Sequence, residues 1–318
     1  MSADQDPKIS VVVPFFQEED VIRPFFEELF GVLDGLDCSC EVVAVDDGSR
    51  DKTFARLAAV REGDARVRVV RFRRNFGQSA AIAAGFEHAR GEIVVTLDGD
   101  MQNDPAEIPR MLAVLDEGAD VVSGWRRERE DLFATRILPS RIANGIIRRV
   151  TGVKLHDFGC GIKAYRAEIT RGIRLYGEMH RFLPALAADL GAEVAELPVN
   201  HRARTIGESK YGLSRTLRVV LDLLTVRFLS GYATRPIHFF GFLGLPSFTG
   251  GLFLLLWLGF ERIFLGVELG NRPLVLLAIF LSITGLQFLT FGLLAEMMAR
   301  TWHESQDKTV YVVREILG

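Results

Sequence analysis

Cysteine is scarce: the 318-residue chain has only Cys38, Cys40 and Cys160. An odd count with no C-x-x-C pair argues against a disulfide framework or a cysteine zinc site and fits a reducing compartment. The N-terminal MSADQDPKIS has no apolar core, so no signal peptide is expected. No G-x-G-x-x-G follows the first apolar run, and no G-x-x-x-x-G-K-[ST] occurs. That argues against a dinucleotide oxidoreductase and a P-loop NTPase. Internal repeats and low-complexity tracts are missing as well. With 48% hydrophobic and 25% charged residues, a disordered or collagen-like chain is excluded.

Basic residues are short in the first part of the chain. Residues 1–125 hold 13 Lys/Arg against 24 Asp/Glu; residues 126–174 hold 12 against 5, and residues 201–235 hold 7 against 2. An acidic half suits a metal ion, and basic segments suit phosphate or anionic lipid. The mean hydropathy of +0.18 is high for a purely soluble enzyme. The excess sits in Ile237–Phe260 and Pro273–Ala295, which carry no Asp, Glu, Lys or Arg over 24 and 23 residues. At about 1.5 Å per residue, each spans the ~30 Å hydrocarbon core. Two buried core helices are the alternative, but soluble helices rarely lack charge for so long. The short link of residues 261–272 makes the two spans a hairpin. Arg218, Arg227 and Arg235 precede it and Arg300, Lys308 and Arg314 follow it, against Arg262 and Arg272 in the link. This bias places the catalytic part and both termini in the cytoplasm, at the inner membrane. Residues 211–229 have helical apolar spacing broken by arginines, as in an amphipathic helix on a membrane surface or a packing helix of the soluble part. The expected domains are 1–210, the juxtamembrane segment 211–236, the hairpin 237–296 and the tail 297–318, with a β-like run at residues 309–314.

The soluble part alternates strands and helices. Apolar β-branched runs at 9–13, 41–45, 67–72, 92–97 and 119–123 predict strands. Helical spacing falls at 19–36, 53–61, 79–89 and 105–117. This order implies an α/β, Rossmann-like, mostly parallel sheet with helices on both faces. Ligands bind such sheets at the carboxyl ends of the strands. The polar clusters fall there: Pro14 to Glu19, Asp46 to Ser49, and Asp98 to Gln102.

The segment Asp98-Gly99-Asp100-Met101-Gln102 is the most informative. Alternate residues after a strand point one way, so Asp98, Asp100 and Gln102 can converge. Two carboxylates and an amide oxygen suit Mg2+ or Mn2+. Such an ion on a diphosphate neutralises charge on a departing phosphate. An acidic turn with a helix cap is the plainer alternative, and Asp104 before Pro105 reads as such an N-cap. Asp46-Asp47-Gly48-Ser49 is either a strand-ending turn or a carboxylate that accepts from a base or ribose. Phe16 can bracket a base, or Phe15 and Phe16 both pack in the core.

Taken in order, VVVPFFQEED, VDDGSRDKT, RNFGQSAAIAAGF and LDGDMQNDP resemble family 2 glycosyltransferases of the GT-A fold. DFGCGIKAYR (157–166), HRARTIGESKYG (201–212) and the late hairpin are similar to the polyprenyl-phosphate glycosyltransferases. That group includes dolichol-phosphate mannose synthases, undecaprenyl-phosphate glucosyltransferases and aminoarabinose transferases. The resemblance runs from about residue 9 to 314. It implies nucleoside contacts at Pro14, Phe16, Glu18 and Asp47 or Asp46. It implies a metal and diphosphate at Asp98, Asp100 and Gln102. By spacing, Arg126, Arg136 and Ser140 match the acceptor-phosphate segment, and Arg204 and Lys210 match a loop of the R-x-x-G-x-S-K type. PFFQEE departs from the usual P-x-Y-N-E: the ring is kept, the hydroxyl is lost, and Gln17 replaces Asn. The base, uracil or guanine, is left open at that point.

The implied reaction is attack of a polyprenyl-phosphate oxygen on the anomeric carbon of a nucleotide sugar, with inversion. A phosphate monoester is already anionic, with a second pKa near ~6, so no strong base is needed. Asp157 is then either a base or an orienting group. The expected partners are a nucleotide sugar (a UDP-sugar favoured, GDP-mannose the alternative), a polyprenyl phosphate such as undecaprenyl phosphate, the membrane and, from the resemblance, a homo-oligomer; no nucleic acid is expected. A processive polysaccharide synthase would need Q-x-x-R-W and more spans. A non-catalytic membrane scaffold is the rival from another class, and the intact D-x-D-x-Q and G-x-S-K-Y sets argue against it.

Overall fold

The β-branched run after Lys8 forms β1 (Ile9–Phe15), and alternate residues of it enter different layers. Ile9, Val11, Val13 and Phe15 join the main core with Phe25, Phe26 and Leu29 of α1 (Ile22–Leu33). Val12 points the other way, to Gly85 of α3 (Gln78–His88). A strand covered by helices on both faces has no polar side, which explains its unbroken apolar run. The structure, a computed structural model, describes residues 6–127, 144–145, 147–149, 151–175, 179–202, 236–266, 268, 272–305 and 311–318. Its contacts divide the chain into two units, Met1–Leu223 with Thr309–Gly318, and Leu224–Lys308.

The first unit carries a sheet of order β7-β5-β6-β4-β1-β2-β3-β8. The other strands are β2 (Cys40–Asp46), β3 (Val67–Phe72), β4 (Ile93–Thr96), β5 (Val121–Trp125), β6 (Lys163–Arg166), β7 (Val194–Pro198) and β8 (Val313–Leu317). Its centre is parallel: β1 pairs with β2 and β4, and β2 with β3. β6 enters antiparallel between β4 and β5, and β8 runs antiparallel to β3. The sheet is therefore mixed. Helices α2 (Thr53–Gly63) and α4 (Ile108–Asp116) complete the regular βα units. Asp104 caps the 3-10 turn before α4 by accepting from the Ala106 amide at 3.0 Å.

The tail strand lies four residues beyond its expected start. Tyr311 precedes it and stacks on Phe72 with centroids 4.9 Å apart, and Arg71 donates to Glu315 at 2.9 Å. Cross-strand partners, rather than the β-branched residues of the tail, set this register. β8 therefore begins beside the carboxyl end of β3, the edge where the polar clusters lie.

The second unit is a pair of helices, Pro236–Phe264 and Pro273–Ser305. The stretches Phe240–Phe264 and Pro273–Ala295 are long and apolar enough to cross a membrane. Core helices would bury their large side chains, yet Phe253 is 65% exposed and Leu276 72%. The two helices touch through small residues: a Cβ on Gly285 would strike the backbone of Phe248. Close backbone approach of this kind is how helices associate in lipid.

Candidate active site

Loops after β1, β2, β3 and β4 at the carboxyl edge of the sheet build one cleft, and three of them carry its aromatic and acidic groups. The first follows β1. Strand alternation sends Phe15 inward, where it is 1% exposed and meets Phe25 edge-on at 5.5 Å. Phe16 lines the cleft with Pro14 and Glu18. Gln17 takes a left-handed backbone, φ 54°. Its amide donates to Ser49 Oγ at 3.0 Å, and the Glu18 amide to Thr53 Oγ1 at 3.0 Å, which fastens this loop to the next.

In the second loop the two aspartates have different jobs. Asp46 is wholly buried, its Oδ1 accepts from the Ser49 amide at 3.0 Å, and it does not line the cleft. Of the two aspartates the cleft wall has Asp47 and not Asp46, whose side chain, at the last residue of β2, shapes the turn. Asp47 lines the cleft and accepts from Asn75 Nδ2 at 2.8 Å, the Phe76 amide at 2.7 Å and the Gly77 amide at 2.9 Å. Burial pushes Asp47 up to about 6, against the pull of those amides. It is the pin that holds the RNFG loop at the start of α3.

The third loop brings Asp98 and Asp100 to the cleft wall. Gln78 Nε2 donates to Asp98 Oδ1 at 2.8 Å. Burial first, then the Asp100 charge, push Asp98 up to about 6, while Lys163 and Arg126 pull it down. Gln102 does not share their wall. Met101 is left-handed at φ 63°, which breaks the alternation that would have carried Gln102 to the same side. The Gln102 amide donates to Asp100 Oδ1 at 3.1 Å, and its carbonyl accepts from the Arg202 amide at 2.9 Å.

Two half-buried carboxylates side by side on one turn, with Asp98 raised by burial and by the neighbouring charge, are a fitting seat for a hard divalent cation. Mg2+ characteristically takes one or two carboxylates and completes its shell with substrate phosphate and water. Among the described residues no group of three or more His, Cys, Asp or Glu is gathered. The donor set thus fits a cation shared with a diphosphate rather than a closed protein cage.

The segment after position 156 passes behind Asp98. Asp157, 2% exposed, holds Arg126 with both oxygens: Nε to Oδ2 at 2.7 Å and Nη2 to Oδ1 at 3.0 Å. Trp125 next door stacks on His156 at 4.4 Å, and Glu196 accepts from the His156 and Asp157 amides at 2.7 and 3.0 Å. Gly161 lies directly against Asp98, where a Cβ would run into the carboxylate. Lys163, 4% exposed, donates to the Cys160 carbonyl, and burial pulls its pKa down.

Gln78, Asn75 and Lys163 were not read from the sequence as site residues. The first two lie in RNFGQ, where polar residues around a glycine beside a strand end were the available signal; Lys163 offered none. Arg136, Ser140, Arg204 and Lys210 lie outside the described residues, as does the segment 211–229. The approach to Arg204 is described: Arg202 donates to Glu28 at 2.6 Å and pairs with Asp104 at 2.9 Å, and Asn103 forms a β-bridge with His201. The stem of that loop is tied to the acidic turn.

Gly161→Ala is expected to displace Asp98 and lower turnover by about 10- to 100-fold, with a modest loss of stability. Steady-state rates alongside a thermal melt check this; wild-type turnover would remove Asp98 from the reaction.

A mixed sheet of this order, with paired carboxylates on the turn after β4, is the GT-A arrangement of a glycosyltransferase. The chain belongs to glycosyl transferase family 2, whose model matches residues 10–174. It is 45% identical to a dodecaprenyl-phosphate galacturonate synthase of Rhizobium johnstonii, over 98% of this chain and 94% of that one. It is 36% identical to an undecaprenyl-phosphate 4-deoxy-4-formamido-L-arabinose transferase of Edwardsiella ictaluri, over 97% and 94%. Among solved structures it is similar to glucosyl-3-phosphoglycerate synthase from Mycobacterium tuberculosis in complex with Mn2+ and UDP-glucose. That match has a TM-score of 0.53 and 24% identity, and covers 70% of this chain and 79% of that one; it bears on the fold alone.

Proposed function

We propose that this enzyme transfers a sugar from a nucleotide sugar, a UDP-sugar by preference, to a polyprenyl phosphate at the cytoplasmic face of the inner membrane. The observation that carries the reading is the Asp98–Asp100 pair at the cleft wall with the buried Arg126–Asp157 pair near enough for the Arg126 charge to pull the Asp98 pKa down, in a chain with two apolar helices. Relatives that cover nearly the whole chain and are named for polyprenyl-phosphate sugar transfer support it.

The residues divide the work. Phe16 offers a ring face to the base, and Glu18 and Asp47 border the same pocket. Asp98 and Asp100 would hold Mg2+ or Mn2+, which would supply charge neutralisation for the departing nucleoside diphosphate. Gln78 orients the Asp98 carboxylate. Arg126, kept charged and aimed by Asp157, faces the acceptor phosphate, and Arg136, Ser140, Arg204 and Lys210 add to that side. A phosphate oxygen forms the new bond to the anomeric carbon as the bond to the diphosphate breaks, in one displacement with inversion. The nucleophile arrives ionised, so no residue must take its proton. β8 returns the chain to the catalytic unit after the two helices, which supports a topology with both termini on one side of the membrane.

The test is a panel of UDP- and GDP-sugars, with uronic acid and formamido-pentose donors included, given undecaprenyl phosphate and Mg2+. The products are read by lipid mass spectrometry. A sugar-phosphate lipid of inverted configuration is expected, and no lipid product from any donor would overturn the reading. Arg136→Ala should raise the KM for lipid phosphate about tenfold while the donor KM changes less than twofold; equal changes would take Arg136 off the acceptor side.

A further inference from the structure

A second cavity, of about 380 Å³, lies beyond the donor cleft at the carboxyl ends of β2 and β3. Five arginines line it: Arg50 after β2, Arg71 at the end of β3, Arg73 and Arg74 just after it, and Arg314 from the tail strand. Neither Asp98 nor Asp100 reaches it; Phe16 and Asn75 stand in the wall common to both cavities. Two of the five are committed. Arg71 donates to Glu315 at 2.9 Å and lies 3.6 Å from Asp46, and Arg74 covers the Phe76 ring at 4.1 Å while donating to the Asn75 carbonyl. Arg50, Arg73 and Arg314 have no ion pair or side-chain hydrogen bond among the described residues, and all three are exposed.

A chain of net charge −3 has gathered five guanidinium groups from three separate strand ends around one concavity. Like charges so placed repel one another and raise the local positive potential, an arrangement that a bound anion relieves. Guanidinium forks match the tetrahedral oxygens of phosphate two at a time, which a carboxylate with two oxygens cannot use as fully. A nucleobase is neutral and needs none of them, and the diphosphate of the donor belongs with Asp98 and Asp100. We propose that this cavity is an anion site, separate from the donor cleft, that takes a phosphate-bearing group. The group comes either from a soluble polyphosphate or from the headgroup of an anionic lipid. The site is independent of the transfer reaction proposed above, since none of its five arginines has a part in that chemistry.

The probe is inorganic pyrophosphate, titrated without divalent cations and with a chelator into the full-length protein in nanodiscs, followed by calorimetry. Saturable binding is expected in nanodiscs of zwitterionic lipid. Arg73→Gln/Arg314→Gln, with an unchanged thermal melt, should weaken it at least tenfold. Arg50→Gln, on a different loop, should weaken it at least threefold and serves if the double variant folds poorly. Repeating the titration in nanodiscs that contain phosphatidylglycerol separates the sources. Weakening of fivefold or more marks the lipid headgroup as a competing occupant, and an unchanged affinity marks a soluble ligand. Absence of saturable binding in the zwitterionic nanodiscs would overturn the proposal. So would affinities that the arginine substitutions leave untouched, whatever the transferase assay shows.

Discussion

Asp100→Ala will cut sugar transfer by about 10³-fold, roughly 4 kcal/mol of transition-state stabilisation, and leave the fold in place. Asp100 is half-buried at the cleft wall, on a turn rather than in the core, so its truncation opens no cavity among packed apolar side chains. The structural loss includes the acceptor for the Gln102 amide, 3.1 Å away, worth about 1 kcal/mol. That turn is also held by Asn103 to His201 and by the Gln102 carbonyl to Arg202, so it survives the loss. The chemical loss is larger because one of two carboxylates that seat the cation is gone. Its removal also relieves Asp98 of a like charge, so the Asp98 pKa should fall in the variant. Two measurements decide the matter. Mn2+ affinity should drop by at least tenfold, and the melting temperature should move by only a few degrees. Turnover within tenfold of wild type would remove Asp100 from the metal seat. A collapsed melt would show instead that the turn depends on it.

The central strands were legible because they are buried on both faces and therefore read as unbroken apolar runs; Val67–Phe72 is matched to the residue. β6 and β7 were not. β6 is KAYR, four residues with a buried lysine at its head, and β7 is VAELP on the sheet edge, half exposed along its length. Neither has the alternation or the apolar run that marks a strand, and each owes its place to pairing with β5. The same contrast holds at the site. Asp98 and Asp100 were legible because two carboxylates at a strand end have few structural uses. Asp46 and Asp47 could not be told apart from the sequence, because the sorting depends on which one the sheet buries. For Gln102 the alternation rule does not carry through, because one left-handed residue, Met101, interrupts it. Lys163 was invisible because its interest lies in burial among Cys160, Asp98 and Asp157, which only tertiary packing reveals.

The second large effect concerns Asp157, and here the geometry favours one of the two roles its position allowed. A general base needs an oxygen turned toward the acceptor. Both oxygens of Asp157 are engaged by the Arg126 fork, and Oδ1 also accepts from the Gly159 amide at 3.0 Å. The pair is deep, 19% exposed on the arginine side and 3% on the carboxylate side. Burial alone would lower the Arg126 pKa, and the hydrogen bonds and charge of Asp157 more than offset it, so the guanidinium stays cationic. We therefore propose that Asp157 acts through Arg126 as a positioning residue. Asp157→Ala leaves that cation buried without a partner, which should cost about 3–5 kcal/mol of stability along with most of the activity. Asp157→Asn is the sharper variant, because an amide keeps the shape and one acceptor oxygen. It should raise the acceptor KM by tenfold or more and lower kcat by less than tenfold, with a pH profile parallel to wild type. A missing base would instead depress kcat by orders of magnitude and remove the acidic limb of the profile. Pairing Asp157→Asn with Arg126→Gln completes the argument. If the two act as one unit, the double variant is at least 1.5 kcal/mol more stable than the sum of the single losses predicts. Strict additivity would mean that Arg126 is held in place by something other than Asp157.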